Sequence, residues 1–248
     1  NGASFKPATL APRFRQRPPS MHSYYSKKLS GERLLRCYES ASPRVKQYLE
    51  AEIEFVVSRI RPVDSILELG CGYGRVAFRL AEAASRVIGI DTSLESLMLA
   101  DRLADSESPC DFIQMDASAL AFRDRKFDVV VCVQNGICAF ACNPDSLVRE
   151  AMRVTKPYGR AIFSSYASEF WPERLRWFES QAGEGLVGEI DYEQTGAGKI
   201  VCKDGFRVGT FSSEDYCSLC NALSVEPLIT TIDNSSVFCE MQVEDADL

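Results

Sequence analysis

The chain has 248 residues, 46% of them hydrophobic and 25% charged, a balance and length that fit one folded core with additions. No apolar run approaches the roughly 20 residues that span a bilayer, which argues against a membrane protein. A formal net charge of -7 opposes a broad phosphate-binding face and sets nucleic acid aside as a substrate.

Residues 1–20, "NGASFKPATLAPRFRQRPPS", carry four bases, four prolines and no acid, and Met21 follows them. That composition reads as a dispensable or added leader ahead of a natural start, with an organelle-targeting peptide as the alternative. Residues 21–62 read as N-terminal helices forming a lid over the remainder. "YSKKLSGERLLRCYES" is helical in pattern. "SPRVKQYLEAEIEFVVSRIRP" is more so, with Ser42 as cap, Pro43 in the first turn and Pro62 as terminator. Its apolar positions Val45, Tyr48, Leu49, Ile53, Val56, Val57 and Ile60 form one stripe at helical period.

From residue 63 the pattern changes to short apolar runs, each leading into a helical stretch: "SILELG" and a helix over 75–84, "RVIGID" and a helix from Ser93 to Leu103, then "DFIQMD", "FDVVVCV" and "RAIFSSY". Continuous apolar strands alternating with helices call for a parallel sheet covered on both faces, a doubly wound α/β core. "NPDSLVREAMRVTKPYG" holds a helix capped by Asn143 and ended before Pro157. Residues 167–211 read as an insert on the substrate side, with a helix in "PERLRWFESQ" and paired strands in "GLVGEIDYEQTGAGKIVCKDGFRVGTF". "SSEDYCSLCNAL" is a capped helix, and the tail forms two strands joined at Asp233-Asn234, a tight-hairpin signal.

The chemistry-bearing stretch is "SILELGCGYGRVAFRL", residues 65–80. Glycines between a strand and a helix let a ligand approach the strand end and the helix N-terminus. Asp91 and Asp116 end the next two strands, so both reach the same sheet edge. Asp91 follows Gly70 by a spacing that suits a carboxylate on ribose hydroxyls, although Thr92-x-x-Glu95 also permits a capping box there. A dinucleotide loop wants a small residue at position 75, where this chain has Arg75. Glu68 would add nothing for a pyrophosphate, and a cofactor with a cationic end is favoured.

The ordered series "LELGCGYGR", "VIGIDTS", "FIQMDASAL", "FDVVVCVQNG" and "EAMRVTKPYGRAIFSSY" resembles the motifs of class I S-adenosylmethionine-dependent methyltransferases of small-molecule type, over about residues 45–166. The resemblance implies a Rossmann-like seven-stranded sheet, mostly parallel with an antiparallel C-terminal hairpin, occupying residues 63–248 together with the insert. It implies S-adenosyl-L-methionine as cofactor and S-adenosyl-L-homocysteine as product. By the same resemblance Glu68, Gly70, Cys71 and Gly72 hold the methionine end, Asp91 and Thr92 the ribose, Asp116 and Ala117 the adenine, and Gln134 with Asn135 lie near the ammonium and the transferred methyl.

Methyl transfer from a sulfonium needs alignment and water exclusion more than a dedicated base. The single histidine, His22, lies in the N-terminal stretch and is a poor base candidate. The residues after strand four, "QNGICAF", lack the [ND]-P-P-[YFW] sequence of amino-methylating DNA enzymes, and the Pro109-Cys110 pair precedes strand three instead of following strand four. A small-molecule amine, thiol, carboxylate or hydroxyl is the expected acceptor, positioned by Tyr24, Tyr25, Asn135 and Tyr166. Tyr38 and Trp171 are further candidates.

Three alternatives remain open: metalloid methylation using cysteines such as Cys138 and Cys142, an NAD-type oxidoreductase, and a non-catalytic cofactor-binding subunit. Cys217-x-x-Cys220 is one pair without a second, so no metal site is expected. The ten cysteines read as small thiols of a reduced, cytoplasmic protein, monomeric or homodimeric and without nucleic-acid or membrane partners.

Overall fold

The computed structural model describes residues 22–105, 107–140 and 142–245, with side chains from Tyr24 onward. The expected leader over 1–20 lies outside the described residues, as does the side chain of His22. Three helices come first: α1 (His22–Lys27), α2 (Gly31–Glu39) and α3 (Pro43–Val57). Ser42 caps α3 by accepting the Val45 N–H, and Pro43 occupies its first turn, where the missing N–H has no partner to lose.

The alternating unit follows as β1 (Ser65–Leu69), α4 (Arg75–Ala81), β2 (Arg86–Asp91), α5 (Leu94–Leu103), β3 (Cys110–Gln114), β4 (Phe127–Cys132), α6 (Gly136–Ala139), α7 (Pro144–Val154) and β5 (Thr155–Tyr166). After a 3-10 turn at Ser168–Phe170 come α8 (Trp171–Gly183), the two-residue strands β6 (Ile200–Val201) and β7 (Arg207–Val208), α9 (Ser213–Leu223), β8 (Pro227–Ile232) and β9 (Ser236–Gln242). The seven-stranded sheet has the order β3-β2-β1-β4-β5-β9-β8. Strands β1 to β5 run parallel, and β9 joins β5 antiparallel, with Phe163 opposite Cys239. Asp233 and Asn234 both have φ near 50°, the primed turn geometry that matches strand twist, and with Ser235 they connect the paired Ile232 and Ser236.

The continuous apolar runs follow from burial on both faces. Leu67, Val130, Cys132 and Phe163 pack with α7 and α9 on one side. Ile66, Val129, Val131 and Ile162 pack with α3 and α4 on the other. Six of the cysteines are buried, including Cys132 and Cys239 in this core, and Cys217 is exposed.

Two expectations differ. Helix α4 stops at Ala81, short of residue 84, and the Ala83 N–H turns back to the Leu80 carbonyl. The paired strands of the insert shrink to β6 and β7 with bridges at Ile190–Cys202 and Gly196–Lys199. The Asp191 carboxylate accepts the Glu193 and Gln194 N–H groups, a local turn that competes with strand pairing.

Candidate active site

Strand order reverses between β1 and β4, each of which is paired with the other and with a different outer neighbour. A crevice opens at the carboxyl ends of strands at such a switch point. Here it is a cavity partly open to solvent, the usual place for a small-molecule or cofactor site in such a sheet.

One wall is the glycine loop. Gly70 and Gly72 have φ of 76° and 54°, a left-handed backbone that glycine adopts without strain. The Gly70 and Cys71 N–H groups both donate to the Ile90 carbonyl, folding the loop back over β2. A Cβ on Gly70 would lie 2.8 Å from the Phe140 ring, so the bare backbone keeps that ring close.

The Asp91 carboxylate accepts the Gly72 N–H at 2.9 Å and the Ser93 N–H at 2.7 Å. It thereby ties the loop to the start of α5 and keeps further lone pairs for a ligand. Burial pushes its pKa up, against those two N–H groups. The alternative Thr92–Glu95 capping box is absent: Ser93 caps α5 by accepting the Ser96 N–H, and Glu95 accepts from Ser30 Oγ instead. Asp116 accepts from the Ser118 N–H and hydroxyl through one carboxylate oxygen.

Among the buried polar atoms of cavity-lining residues that lack a partner are Glu68 Oε2, Arg75 Nη2 and Gln134 Nε2. Burial raises Glu68 to about 8, with the Arg75 charge acting in the opposite direction. Buried groups left without hydrogen bonds are costly. The set combines an acceptor of a cation, a donor to an anion and a neutral donor. That combination is complementary to the zwitterionic end of an amino acid.

All nine residues expected to hold the cofactor (Glu68, Gly70, Cys71, Gly72, Asp91, Thr92, Asp116, Ala117 and Gln134) line this one cavity. Of the four expected positioning residues, Tyr25, Asn135 and Tyr166 line it too. Tyr24 does not; its hydroxyl donates to Asp204 at 2.7 Å and its ring packs on Phe206. Asn135 lines the wall with its amide engaged, Nδ2 donating to the Gly209 carbonyl and Oδ1 accepting from Ser165. Tyr38 joins the cavity, whereas Trp171 lines a second cavity beside it. Cys220 faces Cys239 at 3.8 Å and Cys217 faces solvent. Among the described residues no group of three or more His, Cys, Asp or Glu side chains is arranged to hold a metal ion.

Residues 66–159 match a family model described as a methyltransferase domain. Residues 66–159 thus carry a methyltransferase domain, and the relatives and solved structures similar to this chain support the class I S-adenosylmethionine-dependent type. A ubiquinone biosynthesis O-methyltransferase of Ralstonia nicotianae is 33% identical over 102 residues, 40% of this chain and 42% of that protein. An arsenite methyltransferase of Aquipseudomonas alcaligenes is 32% identical over 139 residues, 50% of this chain and 39% of its own. The chain thus spans about two fifths of the length of these relatives. The solved DhpI–SAH complex is 18% identical with a TM-score of 0.62, covering 91% of this chain and 96% of that one, a likeness of fold. No helix among the described residues is long and apolar enough to cross a membrane.

Some features of the methyltransferase domain escape a motif reading. Glu52, fully buried in α3, accepts the Gln134 N–H at 3.0 Å and the Ser236 hydroxyl at 2.8 Å. It pins a turn in which Gln134 and Asn135 both have positive φ, and burial raises it to about 7. The available signal was an acid inside the apolar stripe of α3. Arg75, recognised in the sequence only as too large for a dinucleotide loop, is a cavity-wall cation stacked 4.8 Å over the Tyr38 ring. Arg174, fully buried in α8, also lines the cavity; its signal was a charge flanked by Trp171, Trp177 and Phe178.

Proposed function

We propose that the protein transfers a methyl group from S-adenosylmethionine to a small-molecule nucleophile held between the glycine loop and the insert. The observation that carries this reading is the unmatched trio Glu68, Arg75 and Gln134 beside the ribose-spaced Asp91. Glu68 would accept the ammonium of the cofactor's amino-acid end and Arg75 would donate to its carboxylate. The remaining lone pairs of Asp91 would take ribose hydroxyls, and Asp116 with Ala117 would border the adenine. The cofactor supplies an electrophilic methyl on a sulfonium.

The chain's own contribution is alignment and exclusion of water. Helices α1 and α2 and the turn between them place Tyr25, Leu29, Leu34, Cys37 and Tyr38 along the cavity, and α1 packs on the insert through Tyr24, Phe206 and Val208. We read them as the cover of the site. An apolar, aromatic enclosure keeps water from the reacting methyl and strengthens the electrostatic contacts inside. The acceptor would enter as an already nucleophilic species.

The NAD reading is disfavoured by Arg75, which lines the cavity at the position where a dinucleotide loop wants a small residue. The metalloid reading needs several thiols at one point, and the cysteines lining the cavity are Cys37 and Cys71. Parallel calorimetric titrations with S-adenosylhomocysteine and NADH test the proposal. Micromolar binding of S-adenosylhomocysteine and none of NADH is expected, and the reverse would end it.

A further inference from the structure

Arg174 is the unusual group in this molecule. Its side chain is completely buried, which costs several kcal/mol for an ion unless compensating charges surround it. The compensation is incomplete. Nη1 donates to the Gly198 carbonyl at 2.7 Å, and Nη2 to Gly209 at 2.9 Å and Val208 at 3.5 Å. The guanidinium carbon stands 4.3 Å from the Tyr166 ring centroid. Nε has no acceptor, and among the described residues no carboxylate forms an ion pair or hydrogen bond with Arg174.

The other ionisable groups near the site differ. Glu68 feels the Arg75 charge, and Glu52 accepts from Gln134 and Ser236. Arg174 stands on the wall built by α8 and the insert, and together with Tyr166 it borders both cavities. It is therefore at the junction between the cofactor cavity and the second cavity, lined by Trp171, Gly198, Thr210 and Ser213.

We infer that Arg174 is the seat for a carboxylate group of the methyl acceptor, so that the substrate is a small monocarboxylic acid with an apolar or aromatic body. This rests on the methyltransferase reading and narrows its substrate class. A monoanion matches the charge: one uncompensated cation faces the junction, and a phosphate dianion would lack a second one. The body would lie against Tyr25, Tyr166, Trp177 and Phe178, which line the same cavity. The simpler role for Arg174 is a clamp that holds the insert through three carbonyls. That role uses Nη1 and Nη2 but leaves the buried Nε–H unexplained.

The test loads the protein with saturating S-adenosylhomocysteine and titrates benzoate and phenylacetate, with benzamide and phenylacetamide as neutral controls and phenyl phosphate as the dianion. The proposal expects at least one of the two carboxylates to bind, each binder at least tenfold tighter than its amide and tighter than phenyl phosphate. Arg174→Gln should lose that preference while its affinity for S-adenosylhomocysteine stays within about twofold. Arg174→Lys keeps the charge without the fork and should retain part of the preference, which covers the case in which Arg174→Gln does not fold. Equal binding of acids and amides, tighter binding of phenyl phosphate, unchanged carboxylate affinity in a folded Arg174→Gln protein, or no binding of either acid up to 10 mM would each overturn it. Failure of the wild type to bind S-adenosylhomocysteine would instead remove the methyltransferase reading beneath it.

Discussion

Glu68→Gln separates binding from burial at the centre of the site. Burial holds the Glu68 carboxyl at about 8 in the empty protein, against an ordinary value near 4.3, so near neutrality it is mostly protonated. An ammonium placed against it favours the carboxylate, and binding must release the proton. The cost of that release is about 1.4 kcal/mol for each pH unit below 8. The affinity of the wild type for S-adenosylhomocysteine should therefore climb roughly tenfold per unit from pH 6 to just below 8 and then level off. Glu68→Gln has no proton to release and should show no such climb. It should bind more weakly at pH 8 by on the order of 1.5–3 kcal/mol, the range for a hydrogen bond to a charged group. The two curves should converge toward pH 6.

The same shift works on stability with the opposite dependence on pH. A carboxyl whose folded value is raised stabilises the fold fully below its unfolded value, and that contribution is lost as pH rises toward 8. The ligand-free wild type should lose stability between pH 5 and 8 relative to Glu68→Gln. The assay is isothermal titration calorimetry at pH 6, 7 and 8 in buffers of different ionisation enthalpy, which counts released protons directly. A Glu68→Gln protein with the same pH slope as the wild type, or binding without proton release at pH 7, would refute the reasoning.

Two further outcomes are expected. Asp91→Ala should weaken S-adenosylhomocysteine binding by about 1–3 kcal/mol and also lower the melting temperature, because the Gly72 and Ser93 N–H groups lose their acceptor; unchanged affinity in a calorimetric titration would reduce Asp91 to a loop tie. Gly70→Ala places a Cβ against the Phe140 ring at a positive φ and should destabilise by at least the roughly 1–2 kcal/mol of a left-handed non-glycine residue, read from urea unfolding, with cofactor affinity falling as the loop shifts.

The sequence by itself determined the sheet core and the cofactor edge, because both are written in local periodicity. Strands buried on both faces must be continuously apolar, helices between them must show one stripe, and a loop that receives a ligand must shed its side chains. Asp91 and Asp116 were legible for the same reason: a residue that ends a parallel strand is delivered to one known edge. Tyr24 was not legible, because whether a tyrosine in a short helix faces a cavity or Asp204 depends on how that helix meets a distant insert. The shortened strands of 185–208 were likewise decided by Asp191 turning its own backbone. Only the tertiary structure put Arg75 and Arg174 on the wall of one cavity and set Glu52 behind it, under the Gln134 N–H. Buried charge is stable only where the surroundings answer it, and those surroundings are assembled by folding.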